Sequence, residues 1–376
     1  MKSNQLHFVE GNWKNNSNES GINPQLVLAF GATDLIKNDS VFEHLQNTYP
    51  KANIVSVSTS GEILGSSLFD DTVVATAIEF ERTNIKCVET FFESHESSVQ
   101  VGKFLMEQLS SHDLTAVLVF SEGSFINGSE LVSGLNANKL PHVSITGGLA
   151  GDAARFKQTL VGLNHTASEG SIVAIGFYGN KIQVGHSSFG GWDEFGRERV
   201  VTKSDKNVLY ELDGKNALDL YKEYLGPYVD ELPGSALLFP LSIKNENDST
   251  NLVRTILTID EENKTMTFAG NLPIGSKVRL MKANFDKLIN ASSKAASDAI
   301  VENVHTDIAL LISCVGRKLV LQERTNEEVE AAKNIFGSNT TITGFYSYGE
   351  ISPFNPNTNC ELHNQTMTIT TFSEVI

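Results

Sequence analysis

The side chains most able to do chemistry gather in three stretches of the last part of the chain. In Leu362-His363-Asn364-Gln365-Thr366 a histidine stands beside two amides, just before a β-type run over residues 367–371. A neutral imidazole at a strand's start could ligate haem iron or hydrogen-bond a ligand carboxylate, with Asn364 beside it. In Ser313-Cys314-Val315-Gly316-Arg317 a thiol and a guanidinium flank a glycine after an apolar run. The planar fork of Arg317 suits an anionic ligand, and loops after strand ends are where ligands collect. Arg254 and Arg279 offer the same fork elsewhere. In Gly344-Phe345-Tyr346-Ser347-Tyr348-Gly349-Glu350-Ile351 the carboxylate of Glu350 follows a glycine bend, and Tyr346 and Tyr348 add amphipathic surface.

Each of these groups also has a plainer reading. A histidine can tie a strand to its neighbour, the arginines can pair with Glu350 or Glu62, and a buried thiol is often a small hydrophobe. Cys314 with His363 would make a nucleophile and base, but no orienting third group or oxyanion device accompanies them, so no enzyme is expected. The nine histidines show no HxxxH or HxH spacing and the three cysteines no CxxC. Neither a dedicated metal site nor a disulfide framework follows.

The elements that must position these groups repeat. Residues 54–63, 143–152 and 341–351 each read as a β-branched run, then small residues, then glycine followed by Glu62, Asp152 or Glu350. Upstream of each lies an apolar strand-like run, at residues 26–30, 116–120 and 308–312, with a helical pattern between. The repeated unit is therefore strand, helix, strand, acidic turn, strand. A crossover of this kind implies parallel pairing, with the last strand free to return antiparallel. The fold class expected is α/β, with mixed sheets and helices against them. The glycines at 147, 148 and 151 are read as tight turns, since no GxGxxG or Walker pattern is present.

At 376 residues the chain exceeds one ordinary core. Its Asn- and Ser-rich start, residues 1–24, reads as a flexible tail and not as a signal peptide or anchor. Ser97 with Gln100, and Thr325 with Glu328, read as capping boxes. Helices are expected over residues 216–225 and 283–300, and strands over 236–238, 253–258 and 265–268. A loosening of pattern near residue 213 sets an expected boundary between domains at 25–213 and 214–376. The net charge of −16 argues against a nucleic-acid backbone or an anionic membrane as partner. An acidic, bacterial-type protein of the reducing cytoplasm is expected.

The stretches Gly147-Gly148-Leu149-Ala150-Gly151-Asp152, Ser313 to Arg317, Gly344 to Ile351 and Leu362 to Thr366 together resemble the FIST sensory proteins, with amino-terminal and carboxy-terminal FIST domains in tandem. That resemblance covers nearly all of the chain after residue 24. It implies a cytoplasmic signal-transduction sensor for a small ligand such as an amino acid. With no output segment after Thr366, a separate partner is expected, such as a histidine kinase or a cyclic-dinucleotide enzyme. The resemblance also implies an alternative, a haem-binding nitric oxide sensor regulating a histidine kinase, with His363 as haem ligand; otherwise no cofactor is expected. The expected ligand-binding set is Arg254, Cys314, Arg317, Tyr346, Tyr348, Glu350, His363 and Asn364.

Overall fold

The computed structural model describes residues 1–16, 21–232, 234–244 and 251–375. The first unit contains β1 (Lys2–Val9), β2 (Asn12–Asn15), β3 (Leu26–Gly31), α1 (Thr33–Ile36), α2 (Asp39–Thr48), β4 (Asn53–Ser58), β5 (Glu62–Leu64), β6 (Ser67–Phe69), β7 (Val73–Glu79) and β8 (Asn84–Phe91). Asn38 caps α2 by accepting from the Ser40 amide, and the helix buries Val41 and Leu45. The second unit contains α3 (Ser98–Leu109), β9 (Leu114–Ser121), α4 (Gly128–Asn136), β10 (Ser144–Leu149), β11 (Val161–Leu163), β12 (Ser171–Tyr178) and β13 (Ile182–Phe189). Ser97 accepts from the Gln100 amide, as the capping box anticipates.

An inserted sheet follows, built from β14 (Asp193–Asp205), β15 (Val208–Leu212), β16 (Lys215–Asn216), β17 (Leu241–Lys244), β18 (Leu252–Arg254), β19 (Ile256–Asp260), β20 (Thr265–Phe268) and β21 (Lys277–Lys282), with α5 (Ala217–Leu225) packed on it. The third unit holds α6 (Phe285–Asp298), β22 (Ile308–Cys314), α7 (Val315–Leu321), α8 (Thr325–Phe336), β23 (Thr341–Ser347), β24 (Gly349–Pro353), β25 (Cys360–His363) and β26 (Met367–Glu374).

The three units make three six-stranded sheets of one plan, ordered β11-β4-β3-β7-β1-β2, β25-β24-β10-β9-β12-β8 and β6-β5-β23-β22-β26-β13. In each, the first two long strands pair in parallel and the returning strand pairs antiparallel. The short strand after the acidic turn leaves its own sheet. β5 joins the third unit, β24 the second and β11 the first, a cyclic exchange.

The apolar runs explain the arrangement. Fully buried strands must be covered on both faces. One face of every run meets a common core: Leu26, Leu28 and Phe30, then Ala116, Leu118 and Phe120, then Ile308, Leu310 and Ile312. Phe345 completes it, with ring centroids 4.8 Å from Phe30 and 6.0 Å from Phe120. The alternating residues face helices: Val27 and Ala29 toward α2, Val117 and Val119 toward α3 and α4, Ala309 and Leu311 toward α6 and α8.

The repeated glycines serve this packing. Gly147 and Gly344 hold φ of +145° and +154°, and a Cβ there would sit 1.9 and 1.8 Å from the carbonyl oxygens of Val119 and Leu311.

Two expectations are corrected. Residues 2–15 are not a tail: β1 pairs with β7 from Lys2↔Glu79 to Phe8↔Val73, and Glu10-Gly11, both at positive φ, turn the chain into β2. Leu6 and Phe8 alternate with polar residues, a half-buried strand pattern that the Asn and Ser content masked. Residues 17–20 of that stretch lie outside the described residues. The expected boundary near 213 falls between β15 and β16, and strands from both sides of it pair in three of the four sheets. Residues 236–238 belong to a short 3-10 helix, Gly234–Leu238.

If the core is shared as described, Phe345→Ala opens a void against all three sheets and should cost about 3–5 kcal/mol. Urea unfolding followed by circular dichroism measures this; a loss below about 1 kcal/mol would be that of a surface site.

Candidate functional site

Two of the predicted site residues turn out to hold the fold. Glu328 on α8 is fully buried, and its Oε2 accepts from Arg317 Nε at 3.0 Å and Nη2 at 2.7 Å. Its Oε1 accepts from the Tyr346 hydroxyl at 2.5 Å and from Ser313 at 3.0 Å. The remaining guanidinium donors reach the carbonyls of Leu288, Gly190 and Gln365. Arg317 and Tyr346 therefore have no donor left for a ligand.

Sequence reasoning placed Glu328 in a capping box and missed this role. Thr325 instead donates to the Gln322 carbonyl, and α8 starts without a side-chain cap. The available signal was Glu328's position four residues before Ala332, on the helix's apolar face.

Glu350 is corrected by its own repeat. Its Oε1 accepts from Ser347 and its Oε2 from the Thr366 amide and hydroxyl. Glu62 makes the same set with Thr59 and with the Thr72 amide and hydroxyl. Both clamp the turn to the start of the returning strand, and burial pushes both carboxyls up to about 8. Asp152 departs from the pattern, binding Thr33, Arg155 and the amides of Lys157 and Gln158.

Cys314 is buried, and burial together with the Glu350 charge pushes its thiol well above the ordinary range, the opposite of an activated nucleophile. Tyr348 faces the loop after Asp152: its ring stacks on Phe156 at 4.6 Å and its hydroxyl accepts from the Phe156 amide at 3.1 Å.

The other three residues meet where the inserted sheet seats on β25. Arg254, at the end of β18, is buried and donates to the carbonyls of Val253, Leu362 and Asn271, at 3.1, 3.0 and 3.2 Å. These are carbonyl partners rather than carboxylates, and burial lowers its pKa to about 10. His363 lies opposite Glu350 across β24 and β25, 1% exposed, with the Phe354 ring 4.7 Å away. Its Nε2 donates to the Ser352 carbonyl at 2.9 Å, and burial holds it neutral, down to about 4.

Asn364 follows, 1% exposed, with neither Oδ1 nor Nδ2 hydrogen-bonded. Gln365 Oε1 is likewise buried without a partner, and its backbone is left-handed at φ +60°. Its carbonyl accepts from Trp192 Nε1 at 2.8 Å. A buried polar group left unpaired costs about 1–3 kcal/mol, and such costs concentrate at ligand sites.

Haem does not fit His363 as placed. An Nε2 that donates to a carbonyl has no lone pair for iron, and a ring 1% exposed presents no face to a porphyrin. Among the described residues no group of three or more His, Cys, Asp or Glu is placed to hold a metal ion.

Two outcomes follow. Arg317→Met leaves Glu328 charged and unpaired and should cost about 3–5 kcal/mol in urea unfolding, part of which Glu328→Gln in the same chain restores. The pH dependence has a definite sign. Glu62 and Glu350, raised from 4.5 to about 8, contribute stability that is complete below pH 4.5 and lost as pH rises through about 8. His363, lowered from 6.5 to about 4, contributes stability that is complete above pH 6.5 and lost as pH falls through about 4. Of these three groups only the glutamates change between pH 6.5 and 8. Stability should fall across that window, and more gently in Glu350→Gln; an equal slope would refute the raised carboxyl.

Comparison with known proteins gives these features a setting. Residues 25–215 match the FIST N domain and residues 217–353 the FIST C domain. An uncharacterized protein of Methanocaldococcus jannaschii is 23% identical over 323 residues, covering 77% of this chain and 60% of that relative. The chain thus spans about 60% of the length of that curated relative. Asn364 lies beyond the matched FIST C residues. No helix among the described residues is long and apolar enough to cross a membrane. Matched in tandem from residue 25 to 353, the chain belongs to the FIST family of signal-transduction sensor domains, a FIST N domain followed by a FIST C domain.

Proposed function

We propose that this sensor takes a small, amino-acid-like metabolite where the inserted sheet meets β25, and that Asn364 is its principal contact. The observation that carries the reading is the Asn364 side chain, buried with both amide atoms unpaired. One donor and one acceptor side by side suit a ligand that carries a carboxylate and an ammonium group. The buried positive charge of Arg254 favours the carboxylate, and Gln365 Oε1 offers a further acceptor.

The same contacts supply a route to an output. Arg254 reaches Leu362 and Gln365 Nε2 lies 3.5 Å from the Leu237 carbonyl, so a ligand at Asn364 touches the joint between the inserted sheet and the third unit. A ligand that binds one seating of this joint better than another shifts the population between them. The partner that reads the shift is a signalling protein, of which a histidine kinase or a cyclic-dinucleotide enzyme is the class in view. The net charge of −16 disfavours nucleic acid in that role, and three cysteines outside any disulfide fit the reducing cytoplasm.

The test is a thermal-shift screen of amino acids and related metabolites against the unaltered chain and Asn364→Leu. Replacing an unpaired buried amide by an apolar group should leave the ligand-free chain as stable or about 1–3 kcal/mol more stable. The same change should abolish the rise in melting temperature that a true ligand produces by mass action. Ligand-induced stabilisation that survives Asn364→Leu would place the ligand elsewhere.

A further inference from the structure

The inserted sheet is built as a body of its own. Its two end strands, β18 and β19, are a single stretch of chain bent at Thr255, so the sheet closes on itself around a separate apolar core. It joins the rest of the chain through Gly190-Gly191-Trp192 on entry and Ala283-Asn284 on exit, and these crossings lie side by side because Asp193 pairs with Lys282. Gly191 takes φ +78°, a conformation that suits glycine and few other residues. Beside the crossings Trp192 and Met281, with Val253, pack on Leu288 of α6 and on Val320 and Leu321 of α7. Apolar packing is non-directional, so this patch can bear a small rotation without coming apart.

Toward the second unit the seam is polar. The Asn271 amide donates to the Ser129 hydroxyl at 3.2 Å, its side-chain oxygen accepts from Asn127 at 3.1 Å, and the exposed Lys206 meets Glu130 at 2.8 Å. Contacts of this kind are individually weak. Phe354, in the turn before β25, adds an apolar latch: it packs against the core of the inserted sheet and stands edge-on to His363. Asn364 lies in the chain between Leu362 and Gln365, the two residues whose backbone or side chain the sheet touches, and is 1% exposed. A molecule cannot reach an amide so buried until one of its covers moves, and a closed sheet joined by two adjoining crossings is the cover most free to swing.

We infer that the inserted sheet is a lid: it turns as one body about Gly190-Gly191 and Ala283-Asn284, parts from α4 and Phe354, and opens the way to Asn364. The inference rests on the reading of Asn364 as the ligand contact. Opening is then the first step of binding, and the apparent affinity is the intrinsic one reduced by the fraction of chains that are open.

The experiment is iodoacetamide labelling of Asn364→Cys in the ligand-free full chain, read by mass spectrometry, with the buried Cys360 of the same chain as internal control. The new thiol should react at least about tenfold faster than Cys360, because lid opening exposes it without unfolding the second unit. Lys206→Ala with Asn271→Ala, both on the seam with α4, should speed its labelling several-fold and leave Cys360 unchanged. In the unaltered chain the Asn271 amide, which opening frees, should exchange its hydrogen faster than the amides of β22. Equal labelling of the two thiols, a rate indifferent to the seam substitutions, or an Asn271 amide as protected as those of β22 would each overturn the lid. No ligand enters these measurements, so a lid that opens while the metabolite screen fails refutes the ligand site alone, and a stabilising metabolite with Asn364→Cys closed to labelling refutes the lid alone.

Discussion

The apolar core shared by three sheets is the constraint from which the rest follows. Each unit contributes a strand buried on both faces, and no single unit has enough apolar surface to cover both. The inner faces at Phe30, Phe120 and Ile312 therefore pack on one another, and the outer faces are left to helices. Once the three sheets are set edge to edge, the short strand after each acidic turn finds its free partner edge in a neighbouring unit. The glutamate clamps at Glu62 and Glu350 mark the points where the chain makes that departure.

Against this core the inserted sheet is held by an apolar cluster of Trp192, Val253, Met281, Leu288, Val320 and Leu321, and by polar contacts. Arg254 and Trp192 donate to the backbone carbonyls of Leu362 and Gln365, and Asn127 reaches Asn271 at 3.1 Å. Carbonyl hydrogen bonds of this sort fix direction while contributing little net free energy each. The Arg317–Glu328 pair, by contrast, sits inside the third unit and locks α7 to α8 and to the carbonyls of Gly190 and Gln365. The unpaired Asn364 amide and Gln365 Oε1 lie where the inserted sheet meets the third unit, so that a molecule bound there would touch both.

Much of the fold was legible because period and repetition are local properties of the chain. The three apolar runs, the helices after Ser97 and Asn216 and the acidic turns all stand where the sequence pattern puts them. The cyclic exchange was not legible, since strands as short as Glu62–Leu64 carry no pattern that names a partner some 280 residues away. The candidate site was legible only in outline. His363 and Asn364 stood out by type, and Arg254 by charge. Whether a given arginine faces a ligand or a carboxylate depends on a neighbour such as Glu328, which local pattern assigned to a cap.

The cyclic exchange also governs the order in which the chain can mature. Before the third unit is made, β5 and β10 each lack one of their two neighbours and β13 lacks its single one, for these are β23, β24 and β26. Two of the three sheets must wait with open edges until residues 308–374 arrive, and long-range pairing of this kind is slow. Open edges invite pairing with other chains. A fragment that stops short of β26 leaves β22 and β13 with unpaired edges, the template on which strands of other chains add.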